Sequence, residues 1–191
     1  EKAFQVQFWD VATGEAVPTR QRQGDANLSM AFSPDGKRLA VGGVDRLLRI
    51  WGPEGAEPRA TLRGHDASIT AMAFSPVGDR LATADWSGAI RIWGTDSTQE
   101  PLAWRAPVVP ASVTEVFFTP GGRLVAQGSD GETVVLDLNG EHDPVALRAA
   151  KSEWQLGGFP TVAVSPAGEK LALVTPDGGL ALYDAATGRQ E

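Results

Sequence analysis

The chain has 191 residues, 42% hydrophobic and 21% charged, a balance that fits a globular domain able to bury a core of useful size. With 17 Lys and Arg against 24 Asp and Glu the net charge is −7, and no basic run exceeds scattered pairs, which argues against a phosphate-binding surface and leaves no nucleic acid expected as partner. Cysteine is absent, which removes disulfides and thiolate metal sites, and no apolar run approaches the roughly 20 residues that cross a bilayer, so no membrane partner is expected.

In chain order, FQVQFWD (4–10) reads as a strand ending near Trp9, and EAVPTRQ (15–21) as a weaker one. LSMAFSPDGKRLAVGGVDRLLRIW (28–51) then shows an alternating apolar run, a Ser-Pro-x-Gly turn, a second apolar run, a polar corner and a third run ending in Ile50-Trp51. ITAMAFSPVGDRLATADWSGAIRIW (69–93) repeats those parts in the same order, with Phe74 42 residues after Phe32 and Trp93 42 after Trp51. Trp9 lies 42 before Trp51, and looser copies follow in VTEVFFTPGGRLVAQGSDGETVVLD (113–137) and TVAVSPAGEKLALVTPDGGLALYD (161–184). A fixed period of this size signals a propeller, solenoid or array. In the turns, Pro34 presets φ and Gly36 takes a geometry that a residue with Cβ resists. The proline-bearing runs EPRATLRG, EPLAWRA and DPVALRA fit outer strands, where a missing ladder donor costs least.

FSPDGKRLAVGG with LRIW, and Gly64-His65 ahead of ITAMAFSPVGDRLATAD with IRIW, resemble WD40 repeats. The resemblance implies an all-β chain, a WD40-type β-propeller arc of about four four-stranded antiparallel blades belonging to a larger, seven- or eight-bladed ring. Residues 1–191 form one partial propeller: 1–22 supply third and outer strands, 28–63, 69–105 and 113–149 are blades, and 161–184 give three strands of the last. The start at Glu1, almost inside a strand, predicts a fragment whose remaining blades come from the same parent protein or another chain. Two copies joined head to tail as a homo-oligomer are the alternative.

The resemblance also implies a buried relay of Trp, Ser/Thr, His and Asp. Carried over by position, the second blade offers Trp93, Thr83 and His65, but Ser87 stands where the Asp is expected, which predicts a shortened relay. The first blade keeps Trp51 and Asp45 with Val41 at the Ser/Thr position; the fourth keeps Asp177 with Tyr183 in place of Trp; the third keeps Asp130 with Leu136. His65 is read as structural, and His142 lies in an outer polar connection, at no metal-ligand spacing from it. The aspartates recur at turns, where their side chains cap backbone N–H groups, whereas a catalytic pair should occur once. No catalytic residue, cofactor or metal is assigned.

Trp86, Trp104 and Trp154 break the repeat. Trp86 occupies the corner between second and third strands, and Trp154 and Phe159 lie in the stretched connection before the last blade. In the family such corners and entry loops share one rim where partners dock, and exposed Trp and Arg are frequent hot spots. Trp86, Arg46, Asp66, Trp154 and Phe159 are therefore the candidates for a protein or peptide partner. The expectation is a non-enzymatic scaffold or sensor module of a cytoplasmic signalling or regulatory protein, with a propeller lactonase or lyase, or an architectural subunit, as alternatives.

Overall fold

A computed structural model describes residues 6–17, 27–52, 58–95, 112–129, 132–138, 145–148, 162–174 and 179–191, and among these every helix or strand element is a β-strand. Strands β1 (Phe8–Trp9) and β2 (Ala16–Val17) pair with each other. The first full sheet runs β3 (Asn27–Phe32), β4 (Leu39–Gly43), β5 (Leu48–Trp51), β6 (Pro58–Leu62), each beside its sequence neighbour. The second is β7 (Ile69–Phe74), β8 (Arg80–Asp85), β9 (Ile90–Gly94). The third is β10 (Val113–Phe118), β11 (Leu124–Gly128), β12 (Glu132–Leu136), β13 (Val145–Arg148), and the fourth is β14 (Val162–Val164), β15 (Lys170–Val174), β16 (Leu180–Asp184). All pairings are antiparallel. The run expected as an outer strand at 100–106 lies outside the described residues, as do Trp104, Asp130, His142, Trp154, Phe159 and Asp177.

The first hairpin of each sheet is set by its Ser/Thr-Pro turn. Gly36 N–H donates to Ser33 O at 2.9 Å, and Gly36 sits at φ +68°, left-handed geometry that costs a glycine nothing. Ser33 N–H bonds Arg38 O while the Ser33 hydroxyl accepts from Arg38 N–H at 2.9 Å, so one side chain closes the hairpin. Ser75 with Arg80, Thr119 with Arg123 and Ser165 with Lys170 repeat the device. At the far end of the first three hairpins the register slips by one residue, between Asn27 and Ser29, Ile69 and Ala71, and Val113 and Glu115. This bulge re-aims Thr70, whose hydroxyl donates to Val113 O of the next sheet at 2.7 Å.

The sheets stack face to face because both faces of each are apolar. Ala40, Leu48 and Ile50 of the first meet Met72, Phe74, Leu81 and Trp93 of the second. Ala82, Ile90 and Ile92 of the second meet Val116, Leu124 and Val134 of the third, and Val125, Val135 and Leu147 of the third meet Leu171, Leu173 and Tyr183 of the fourth. Val6, with Phe8 beside it, covers Leu39, Val41 and Trp51. The turns interlock as well: the Arg38 guanidinium donates to Gly78 O at 2.8 Å and lies 5.7 Å from the Phe74 ring centre. The chain is therefore an arc of a propeller, its blades in chain order.

Candidate functional site

The second blade holds one continuous buried chain of hydrogen bonds. The Trp93 indole N–H donates to Thr83 Oγ1 at 2.7 Å, the Thr83 hydroxyl meets His65 Nε2 at 2.6 Å, and His65 Nδ1 meets Asp85 Oδ2 at 2.7 Å. Thr83 and Asp85 have no solvent exposure and His65 is buried with them. The donors and acceptors are consistent in one direction only. The Asp85 carboxylate can only accept, so the neutral ring carries its proton on Nδ1 and its bare Nε2 accepts from the Thr83 hydroxyl, whose oxygen accepts from Trp93.

This corrects the expected shortened relay. The carboxylate comes from Asp85, the last residue of β8, two residues before the corner position where Ser87 stands. Ser87 joins as a donor: its hydroxyl and N–H reach Asp85 Oδ1 at 2.6 and 3.0 Å, and Ala89 N–H does so at 3.1 Å. Asp85 thus holds the histidine with one oxygen and the β8–β9 corner with the other. Asp85 escapes a reading by position because the 42-residue period aligns it with Gly43, while Ser87 aligns with Asp45. A signal is present, since a carboxylate beside the corner in the one blade with the Gly-His pair has an imidazole to meet.

Asp45 is not a relay member. It accepts from Leu47 N–H at 3.1 Å and pairs with Arg49 at 2.7 Å, both at its own corner. The Trp51 indole N–H is buried without a hydrogen-bond partner, because Val41 occupies the register position that Thr83 fills in the second blade. Tyr183 sits opposite Leu171 as Trp93 sits opposite Leu81, and is buried against the third blade. Trp93→Phe and Trp51→Phe each lose a similar ring volume, but only the first strips Thr83 of a donor. The first is expected to cost about 1–2 kcal/mol more than the second in urea unfolding, the worth of a buried hydrogen bond.

Nucleophile, base and carboxylate are in reach of one another here, as an acyl-transfer site requires. No substrate can reach them: Thr83 is wholly buried and its oxygen already holds Trp93. Both His65 ring nitrogens are occupied, and no group of three or more candidate metal ligands occurs among the described residues.

Burial holds the His65 pKa below its ordinary value, against the opposing pull of the Asp85 hydrogen bond and charge. Burial would raise Asp85, but the hydrogen bonds from Ser87 and His65 outweigh it and its pKa is lowered. The folded state therefore takes up fewer protons than the unfolded chain as pH falls below about 6.5, and stability drops from there down to the lowered His65 value. Asp85 adds a further loss below about pH 4. Unfolding titrations from pH 8 to 5 should show the first loss in the native chain and a weaker one in His65→Gln.

The corners stand at the rim formed by the same strand ends. Trp86 N–H bonds Ser68 O at 2.9 Å, yet its side chain is 65% exposed. Val44, 42 residues earlier, is exposed at the corresponding corner, and Arg46 holds φ +64° where the second blade has Gly88. Asp66, in the loop entering β7, is exposed and lies 3.8 Å from Arg91 Nη2. The structure thus brings Arg46, Asp66 and Trp86 to one rim; Trp154 and Phe159 lie outside the described residues.

Comparison with known proteins places this geometry. Residues 21–52 and 56–94 match the family model "WD domain, G-beta repeat". The chain is similar to the general transcriptional corepressor TUP1 of Saccharomyces cerevisiae, 51% identical over 41 residues, which is 22% of this chain and 6% of that protein. It is 36% identical over 67 residues to the nuclear distribution protein nudF of Emericella nidulans, 34% of this chain and 15% of the relative. Among solved structures it resembles the Cps50 (Swd1) β-propeller domain of Myceliophteria thermophila, with a TM-score of 0.66 and 20% identity, over 86% of this chain and 55% of that one. The chain thus spans a small part of these curated relatives and about half of the propeller domain. With the repeat, the stacked antiparallel sheets and these matches in hand, residues 21–52 and 56–94 are WD40 repeats and the chain has the fold of a β-propeller arc.

Proposed function

We propose that this chain is a non-catalytic protein-interaction module that presents the rim of its first and second blades to a protein or peptide partner, within a larger regulatory or signalling protein. The observation that carries the reading is Trp86. A side chain that buries most area when covered is held in the open on a corner anchored by the Asp85 hydrogen bonds. Scaffolding needs such rigid anchors and no reactive group. Peptides selected from a random display library on the 191-residue chain should lose at least about tenfold in affinity on Trp86→Ala, the loss typical of a hot-spot aromatic. Equal binding to both proteins would overturn the rim.

Two end faces support the further proposal that more blades continue the arc, from the same parent protein or another chain. Met30 and Phe32 of β3 are exposed, whereas Met72 and Phe74, their equivalents on β7, are buried against the preceding blade. Leu182 of β16 is exposed where Ile92 of β9 is buried against the following one. Apolar sheet faces of this kind associate unless covered. Light scattering of the chain alone should show self-association, and a clean monomer at high concentration would count against this part.

A further inference from the structure

We infer that the rim of the first two blades binds a short acidic peptide segment carrying an apolar residue, an assignment that rests on the interaction-module reading above. The two corners and the loop between them are contiguous. A Cβ on Gly42, at the end of β4, would lie 2.9 Å from Ile69 at the start of β7, and neighbouring Ser68 carries the Trp86 hydrogen bond.

This surface is cationic in a chain of net charge −7. Arg46 and Arg63 are exposed, and neither guanidinium has an ion-pair or hydrogen-bond partner among the described residues. Among the described residues Arg91 Nε is buried without a partner, and its Nη2 makes only the 3.8 Å contact to Asp66, whose side chain is 94% exposed. Arg49 is already matched by Asp45, and Asp85 is buried with its oxygens occupied. Three arginines thus have donors to offer against one loosely held carboxylate.

Arg46 adds a second, independent sign. A non-glycine residue in left-handed geometry is strained, a cost that Gly88 avoids at the equivalent place. Between Val44 and Trp86, carboxylates would find planar guanidinium donors for paired charge-assisted bonds, and an apolar side chain would find Trp86. The ligand has to be short. Beyond about 8–10 Å of screening length, an extended polyanion would meet the acidic remainder of the surface.

Random dodecamer peptides displayed on phage, selected on the 191-residue chain and counter-selected on Trp86→Ala, provide the test. The expected result is a set rich in Asp and Glu with one apolar residue. Synthetic copies should lose at least about tenfold in affinity on Arg63→Glu and several-fold on Arg46→Gly, which relieves backbone strain and so cannot act by unfolding. Replacing their Asp and Glu by Asn and Gln should abolish binding. Trp86-dependent peptides that are neutral or basic would overturn the acidic assignment and leave the rim standing, as would binding that appears only with phosphoserine. Recovery of no Trp86-dependent peptide would overturn both.

Discussion

Thr83→Val is expected to destabilise the chain by about 2–6 kcal/mol, a large share of the roughly 5–15 kcal/mol that holds a typical domain folded. The substitution keeps the shape and removes one oxygen, but that oxygen serves two buried groups at once: it accepts from Trp93 Nε1 and donates to His65 Nε2. Neither can turn to water, since Trp93 is 1% exposed and His65 6%. Two unsatisfied buried groups at about 1–3 kcal/mol each give the estimate. Thr83→Ser keeps the hydroxyl and loses one methyl, so it should recover most of the loss. Urea unfolding of the two variants decides the matter: an equal cost for Val and Ser would mean that packing, not the relay, sets the stability of the second blade.

The period is legible because strand ends, turn chemistry and Trp spacing are all local. Ser33, Pro34 and Gly36 write the hairpin into four consecutive residues, and the structure returns the same bonds at Ser75, Thr119 and Ser165. The blade order follows from repetition alone. The relay is half legible. Trp93, Thr83 and His65 sit at the positions the WD40 resemblance implies, but their carboxylate does not, since a side chain reaches several ångströms and two backbone positions can serve one imidazole. Asp45 shows the converse. It occupies the repeated place yet turns to Arg49, because its blade has no His65 equivalent to hold. The two tryptophans of the second blade are told apart by the repeat: Trp93 falls at the 42-residue position and is buried, whereas Trp86 breaks the repeat at a corner and is exposed.

Asp85→Asn should cost about 2–4 kcal/mol, despite being nearly isosteric, and should loosen the rim along with the core. Asp85 accepts on both oxygens, from His65 Nδ1 on one and from Ser87 and Ala89 on the other. An asparagine has one acceptor and one NH2. If the oxygen faces His65, the NH2 points at the Ser87 and Ala89 N–H groups. If it is turned round, the NH2 faces Nδ1 and moves the ring proton to Nε2, so that the Thr83 hydroxyl must accept there and its own proton loses the acceptor it had. One arrangement sets donors against each other and the other strips the Thr83 proton of its acceptor, which is why a conservative change fails here. The corner that carries Trp86 loses its anchor in the first arrangement. Hydrogen exchange should then show the Ser87 and Ala89 amides losing protection while the Ser75 turn, far down the same strands, keeps its own. Affinity for rim-binding peptides should fall with them, since a freely moving Trp86 must be ordered again on binding. Native stability in the Asp85→Asn variant, with unchanged exchange at Ser87, would mean that Asp85 anchors neither the histidine nor the corner.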